Sequence, residues 1–266
     1  MATLVHYAVA GALARITLDS PHNRNALSSE LVDQLHQALR HAVEEPGVRA
    51  VVLGHTGGTF CAGADLSEAS GAAARAASGT GDAFGAAADR SRQLSSLLRA
   101  ILELPLPVLA AIDGHVRAGG LGLVGACDIV VAGRQCTFAL TEARIGVAPG
   151  IISLTLLSKM TPRAAGRYFL TGERFGPDEA AAIGLVTVAT DDVASSVAAI
   201  TAELQRGSPQ GLAASKALTT RPILDGFDRR ADELSAQSAR LFLSEEAREG
   251  MLAFLQKRAP RWTSTA

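Results

Sequence analysis

AGGLGLVGACDIV, residues 118–130, places Gly120, Gly122 and Gly125 at the G-x-G-x-x-G spacing and opens on the pair Gly119-Gly120. Two readings compete for it. A dinucleotide fingerprint needs a strand, an immediate glycine turn and a helix within one βαβ unit. VLAAID, residues 108–113, reads as a buried strand ahead of the glycines, and Glu142 follows at the distance of a ribose-binding acid. Yet residues 113–118 separate that strand from Gly119, and the next strand, DIVVAG at 128–133, ends without an acidic residue. The second reading pairs this stretch with GGTFCAGAD, residues 57–65. Both put small residues where a chain leaves a strand and enters a helix. The first backbone N–H groups of a helix are unpaired and point outward. Two of them, from different loops, can meet at one oxygen and stabilise charge developing on a carbonyl. Small residues leave room for a substrate to come that close. This predicts an oxyanion hole rather than a phosphate cradle.

Outward from the glycines, LVHYAVAG and ALARITLD (4–19) read as two antiparallel strands joined through Gly11. Residues 28–45 carry apolar side chains at helical spacing, with a cap at Ser28 or Ser29 and a stop at Pro46-Gly47. VRAVVLGH (48–55) reads as a buried strand, and residues 57–69 as a glycine-rich loop that opens a helix. Residues 70–88, mostly Ala, Gly and Ser, read as a mobile surface loop or a weak helix. A helix over 89–104 is stopped by Pro105 and Pro107; DIVVAG and TFAL (137–140) read as strands. A strand–strand–helix grammar thus recurs through the first two thirds. From Pro149 helical patterns dominate, with GLVTVA (184–189) as the last strand. Residues 208–266 read as nearly all amphipathic helix, with faces for packing or for other subunits. The expected division is a core domain over 1–195 and a C-terminal helical oligomerisation domain over 196–266.

The 266 residues are 48% hydrophobic, enough for a substantial core. A net charge of −1 and 4% aromatics leave neither a basic field nor a stacking platform for nucleic acid. No apolar run has the length of a membrane span, and the N-terminus lacks the basic region of a signal peptide. Cys61, Cys127 and Cys136 are scattered and odd in number, which fits reduced core residues in a cytoplasmic protein. There is no CxxC or HExxH spacing, so no metal is expected.

Several segments in order carry a resemblance: LDSPHNRNALSSEL (18–31), FCAGADL (60–66), AAIDGHVRAGGLGLVGACDIVVA (110–132), FALTEARIGVAPG (138–150), ERFGPDEAAAIGLV (173–186) and EGMLAFLQKRAP (249–260). Together they resemble the enoyl-CoA hydratase/isomerase, or crotonase, superfamily over nearly the whole chain. The resemblance implies an α/β fold, a crotonase-like spiral of ββα repeats with a C-terminal helical trimerisation region, assembled as a homotrimer or a dimer of trimers. It implies an acyl-CoA thioester as substrate, coenzyme A being part of that substrate, with no separate cofactor. By the same resemblance, Ala64 and Gly119 are the oxyanion donors and Glu142 is the catalytic acid/base. Arg24, Asn25, Ala26 and Leu27 match the segment that lines the CoA channel, and Ala62, Asp65 and Leu66 flank the first donor. Phe254 and Lys257 match a terminal F-x-x-K pattern that reaches the CoA of a neighbouring subunit.

One departure stands out. The best-known hydratases of the family hold a water between two glutamates, and the second belongs at the position of Gly122, between Leu121 and Leu123. Three expectations stay open. One is hydration of a 2-enoyl-CoA with Glu142 alone, favoured because residues 143–175 resemble a branch that includes hydratases of branched, methylglutaconyl-like enoyl-CoAs. Another is isomerisation of a 3-enoyl-CoA to a 2-enoyl-CoA. The third is a non-catalytic acyl-CoA binder. Arg117 and Arg144 read as ordinary exposed arginines, with a role as counter-charge to a carboxylated substrate as the alternative. His115 and Cys61 read as core residues.

Overall fold

The computed structural model describes residues 2–65, 67–68 and 82–263. The expected strand–strand–helix grammar becomes two sheets. A six-stranded sheet runs β1 (Val5–Ala10), β2 (Leu13–Leu18), β3 (Ala50–His55), β5 (Val108–Ile112), β7 (Ile129–Gly133) and β9 (Val188–Thr190). A three-stranded sheet runs β4 (Thr59–Cys61), β6 (His115–Arg117) and β8 (Phe138–Ala139). Among the named strands of the described residues, β1 and β2 pair antiparallel and the other pairs are parallel. From β3 onward each repeat gives its first strand to the large sheet and its second to the small one. The short strands β4 and β6 correct the sequence reading: β4 falls inside 57–69, read as a glycine-rich loop, and β6 inside 113–118, read as the gap before Gly119. This is the expected mixed α/β spiral.

The large sheet is covered on both faces, which explains the unbroken apolar run of β3. Val51 and Leu53 face the main core, with Leu31, Leu35 and Leu39 of α1 (Ser29–Glu44) and Leu97, Leu98 and Ile101 of α2 (Ala83–Glu103). Val52, between them, points to the other face and packs with Val131 and with Val197 of the helix Val193–Gln205. That helix spans the expected boundary at 195/196 and lies on the core sheet. Helix α1 starts where Ser28 Oγ accepts the Leu31 N–H at 3.2 Å, one of the two caps expected. Helix α2 begins at Ala83, earlier than expected, because the alanines of its first turns are strong helix formers. Residues 70–81 of the low-complexity stretch lie outside the described residues.

Helix α3 (Gly119–Ala126) follows β6. Short helices α4 (Ser153–Leu156), α5 (Pro162–Thr171) and α6 (Pro177–Ala182) precede β9, and the helix Val193–Gln205 is α7. Within residues 152–160, part of the stretch after Pro149 where helical patterns dominate, α4 is the α-helical segment. Helix α8 (Pro209–Phe242) packs along α2, and α9 (Glu245–Leu255) follows it. Lys216 ties α8 to the core: its Nζ donates to Ile101 O at 2.8 Å and Leu106 O at 3.0 Å and pairs with Asp128 at 2.8 Å. A lysine that is only 5% exposed is tolerable there because carbonyls at the end of α2 and a carboxylate meet its charge. Among the described residues no helix is long and apolar enough to cross a membrane.

Candidate functional site

The chain leaves each small-sheet strand at the same end of that sheet, because the three strands are parallel. Ala64 comes just after β4, Gly119 just after β6, and Glu142 just after β8. Carboxyl ends of parallel strands are where α/β folds gather ligand-binding residues.

The first two segments touch. Gly63 has φ +89°, and a Cβ there would lie 2.9 Å from Ala118 Cβ and 3.0 Å from Gly119 N. A glycine is therefore required both by conformation and by the closeness of the neighbouring loop. A Cβ on Gly119 would lie 3.6 Å from Ala64 N. Ala118, at φ 46° and ψ −124°, holds a conformation unusual for a residue with a side chain. Among the described residues neither the Ala64 nor the Gly119 N–H has a hydrogen-bond acceptor. Two free donors thus sit side by side at the start of α3, whose dipole adds positive character.

The remaining glycines of the opening motif serve packing. A Cβ on Gly120 would meet Cys61 O at 2.7 Å, on Gly122 Ile152 Cγ2 at 2.5 Å, and on Gly125 Thr155 Oγ1 at 2.8 Å. They let α3 press against β4 and α4, which accounts for their spacing without a phosphate. At Gly122 the neighbouring volume is filled by Ile152 and, at 3.2 Å, Leu98 Cδ1. A glutamate side chain has no room there unless those residues move.

Glu142 opens a 3-10 turn, Glu142–Ile145, and is 8% exposed. Its Oε2 is buried without a partner. Burial pushes the carboxyl up to about 7, against a smaller opposing pull from its own backbone N–H. The turn is held from behind by α9. A Cβ on Gly250 would lie 2.5 Å from Ile145 C, and one on Gly146 would lie 2.6 Å from Glu246 C, so helix and turn meet backbone to backbone.

The segment 24–27 runs beside 62–65. Ala62 N–H donates to Arg24 O at 3.1 Å, Leu27 N–H to Gly63 O at 2.8 Å, and Leu27 forms a parallel bridge with Ala64. Leu27 Cδ1 is 3.5 Å from the Cβ position of Gly119, so this segment joins the two donors. Arg24 and Asn25 both have positive φ. Asn25 is fully buried, and its side chain is committed within the fold: Oδ1 accepts Ser20 N–H, and Nδ2 donates to Thr56 O and Thr59 O. Ala26 is buried. Asp65 is half-buried; burial raises its carboxyl, but hydrogen bonds from Ser67 and Asn23 outweigh that and hold it below the ordinary value. Leu66 lies outside the described residues. Phe254, at 60% exposure, and Lys257 stand on the open surface at the end of α9.

Two expectations need correction. His115 is exposed, not part of the core, because alternation in β6 turns Val116 inward instead. Arg117 is half-buried and tied to Val116 O, Thr137 O and Thr137 Oγ1. Arg144 is exposed as expected, and its Nε donates to Thr171 O. Cys61 is buried, its thiol pushed up to about 12 by burial, which leaves it inert at neutral pH. Sequence reasoning missed Gly63, Ile152, Gly146 and Gly250, whose importance depends on neighbours remote in the chain. Among the described residues no group of three or more His, Cys, Asp or Glu is placed to hold a metal ion.

Comparison with known proteins identifies relatives of the whole chain. The family model described as enoyl-CoA hydratase/isomerase matches residues 9–265. The crystal structure of an enoyl-CoA hydratase from Mycobacterium avium is 59% identical, covers 99% of this chain and 100% of its own, and superposes with a TM-score of 0.90. A structure from Mycobacterium avium paratuberculosis, provisionally named an enoyl-CoA hydratase, is 62% identical over 98% of this chain and 100% of its own, with a TM-score of 0.91. A Thermus thermophilus protein with the same provisional name is 34% identical, covering 95% of this chain and 98% of its own length.

Proposed function

Because the chain belongs to the enoyl-CoA hydratase/isomerase family, whose members act on acyl-CoA thioesters, we propose that it is an enoyl-CoA hydratase. It adds water across the double bond of a 2-enoyl-CoA with a short or branched acyl chain. The thioester oxygen accepts the N–H groups of Ala64 and Gly119. Glu142, as carboxylate, takes a proton from water while the hydroxyl adds to C3. The electron pair of the double bond moves toward the thioester oxygen, giving an enolate held by the two donors. The enolate then takes the proton back from Glu142 at C2, so one water is added and the carboxylate is restored. Each backbone donor in such a hole lowers the barrier by about 3 kcal/mol.

The observation that carries this reading is Glu142: a buried carboxyl with an unpartnered oxygen and a pKa of about 7, one strand away from a pair of free N–H donors. A general base works best when it titrates near the working pH. Arg24, Ala26, Leu27, Ala62 and Asp65, with the backbone of Asn25, line the approach of the CoA moiety in this reading. Phe254 and Lys257 reach the CoA of a neighbouring subunit in a homotrimer or a dimer of trimers. Their exposure in the single chain supports that role.

The apolar filling at Gly122 favours a second reading, isomerisation. Here Glu142 removes a C2 proton from a 3-enoyl-CoA and returns it at C4, and no ordered water is required. Mass spectrometry after incubation with crotonyl-CoA, methylglutaconyl-CoA and a 3-enoyl-CoA separates the two. Gain of one water on a 2-enoyl substrate, lost in Glu142→Gln, supports hydration. Conjugation of the 3-enoyl thioester without gain of water replaces it by isomerisation. Binding without reaction on any member leaves a non-catalytic acyl-CoA binder.

A further inference from the structure

One face of the three-stranded sheet carries a cluster of basic side chains that this chemistry does not use. His115 and Arg117 are alternate residues of β6 and share that face, while Val116 between them is fully buried. Thr137 links them: its Oγ1 lies 3.0 Å from His115 Nδ1 and accepts Arg117 Nη2 at 2.7 Å. Arg117 Nη1 donates to Val116 O at 2.8 Å and Thr137 O at 2.6 Å. Arg174 enters from the neighbouring segment, next to Phe175, which bridges antiparallel to Phe138 of β8. Its charge is felt by both: burial, and then Arg174, hold the Arg117 guanidinium below its ordinary value. Burial, then Arg117 and Arg174, do the same to His115.

Two guanidinium groups and an imidazole therefore influence one another on this face with no compensating acid. Among the described residues none of them pairs with a carboxylate, and the remaining residues contain no aspartate or glutamate. Arg134, Arg167 and Arg258 give the contrast: Asp178 and Asp191 pair with the first, Glu173 with the second and Glu249 with the third. Arg117 is held through its Nη1 donors and one Nη2 proton, and among the described residues Nε and the second Nη2 proton have no acceptor and can form a fork. The mutual repulsion of a half-buried guanidinium and a second one near it is relieved when an anion binds between them. A doubly charged tetrahedral anion fits the charge, and the planar fork fits its oxygens.

We propose that this face is a binding site for a phosphate group, inorganic phosphate or a phosphomonoester, held by Arg117 and Arg174 with His115 as the third contact. The inference is independent of the role given to Glu142. His115 supplies a local reporter. In the full chain, its imidazole is titrated by NMR at constant ionic strength in chloride, acetate, inorganic phosphate or glycerol phosphate. Phosphate is expected to raise its midpoint saturably, by about one unit, because a bound dianion favours the imidazolium. Acetate is expected to leave it unchanged. Arg174→Ala, at an exposed residue with no hydrogen bond among the described residues, abolishes the rise, and Arg117→Gln does the same. A lower half-saturating concentration for glycerol phosphate than for phosphate identifies a phosphomonoester as the ligand. A His115 midpoint unmoved by either phosphate, or moved equally by acetate, overturns the proposal.

Discussion

Glu142 and Glu249 are 8% and 7% exposed and sit on two elements in direct contact, since Gly250 meets the turn that Glu142 opens. Their chemistry is opposite. The Glu142 carboxyl is raised to about 7 by burial, with no cation to offset it and Oε2 unpartnered. Glu249 is lowered to about 2, first by its hydrogen bonds from Arg258, at 2.6 Å and 3.0 Å, then by the Arg261 N–H at 3.0 Å and the charges of both arginines. Equal exposure therefore says little about a carboxyl's state; partners decide it. An unpaired buried carboxyl is a proton carrier held at a cost to stability. A paired one is a tie that holds the chain end against α9.

The largest effect expected from breaking this contrast is on turnover. Glu142→Gln should lower it by about 10²–10⁴-fold while leaving CoA-ligand binding within a few-fold, as measured by steady-state rates and calorimetry. An unchanged rate removes Glu142 from the chemistry. Stability should move the other way. The folded value of about 7 lies above the reference 4.5, so the native state binds more protons through that window and loses stability as pH rises. Glu142→Gln lacks this loss, and its advantage should grow from pH 4.5 to pH 7 and level off on the order of 3 kcal/mol, read from denaturant melts at several pH values.

Gly250→Ala comes next. A methyl group pressed into Ile145 should cost about 1–3 kcal/mol and shift the pH midpoint of turnover by displacing the Glu142 turn. A variant with wild-type stability and midpoint would show that α9 does not set that turn. Glu249→Gln sharpens the comparison with the smallest effect on chemistry. Its folded value lies below 4.5, so its contribution is complete above that pH and disappears as pH falls toward 2. The variant should melt earlier than wild type at pH 7, converge with it in acid, and keep the turnover midpoint.

Much of the fold was legible. The caps and apolar spacing of α1, the buried runs of β3 and β5, and the strand–strand–helix order are short-range signals that tertiary packing did not override. Strands β4 and β6 were not legible, because three residues are too few for any periodicity to show. Arg117 and His115 changed environment for the same reason: without a strand at 115–117, the alternation that exposes one and half-buries the other cannot be read. The glycines of 118–130 were read toward a ligand, yet of these four Gly119 alone stands beside the Ala64 N–H; Gly120, Gly122 and Gly125 meet Cys61, Ile152 and Thr155.

The sequence by itself determined the ordered motifs from 18 to 260, hence the family, because each motif depends on neighbours a few positions apart. Only the tertiary structure decided that Ile152 and Leu98 fill the volume beside Gly122, and that Glu142 is unpaired while Glu249 holds two arginines. Packing volume and carboxyl pKa are set by atoms within a few ångströms, and folding brings most of those atoms from distant parts of the chain.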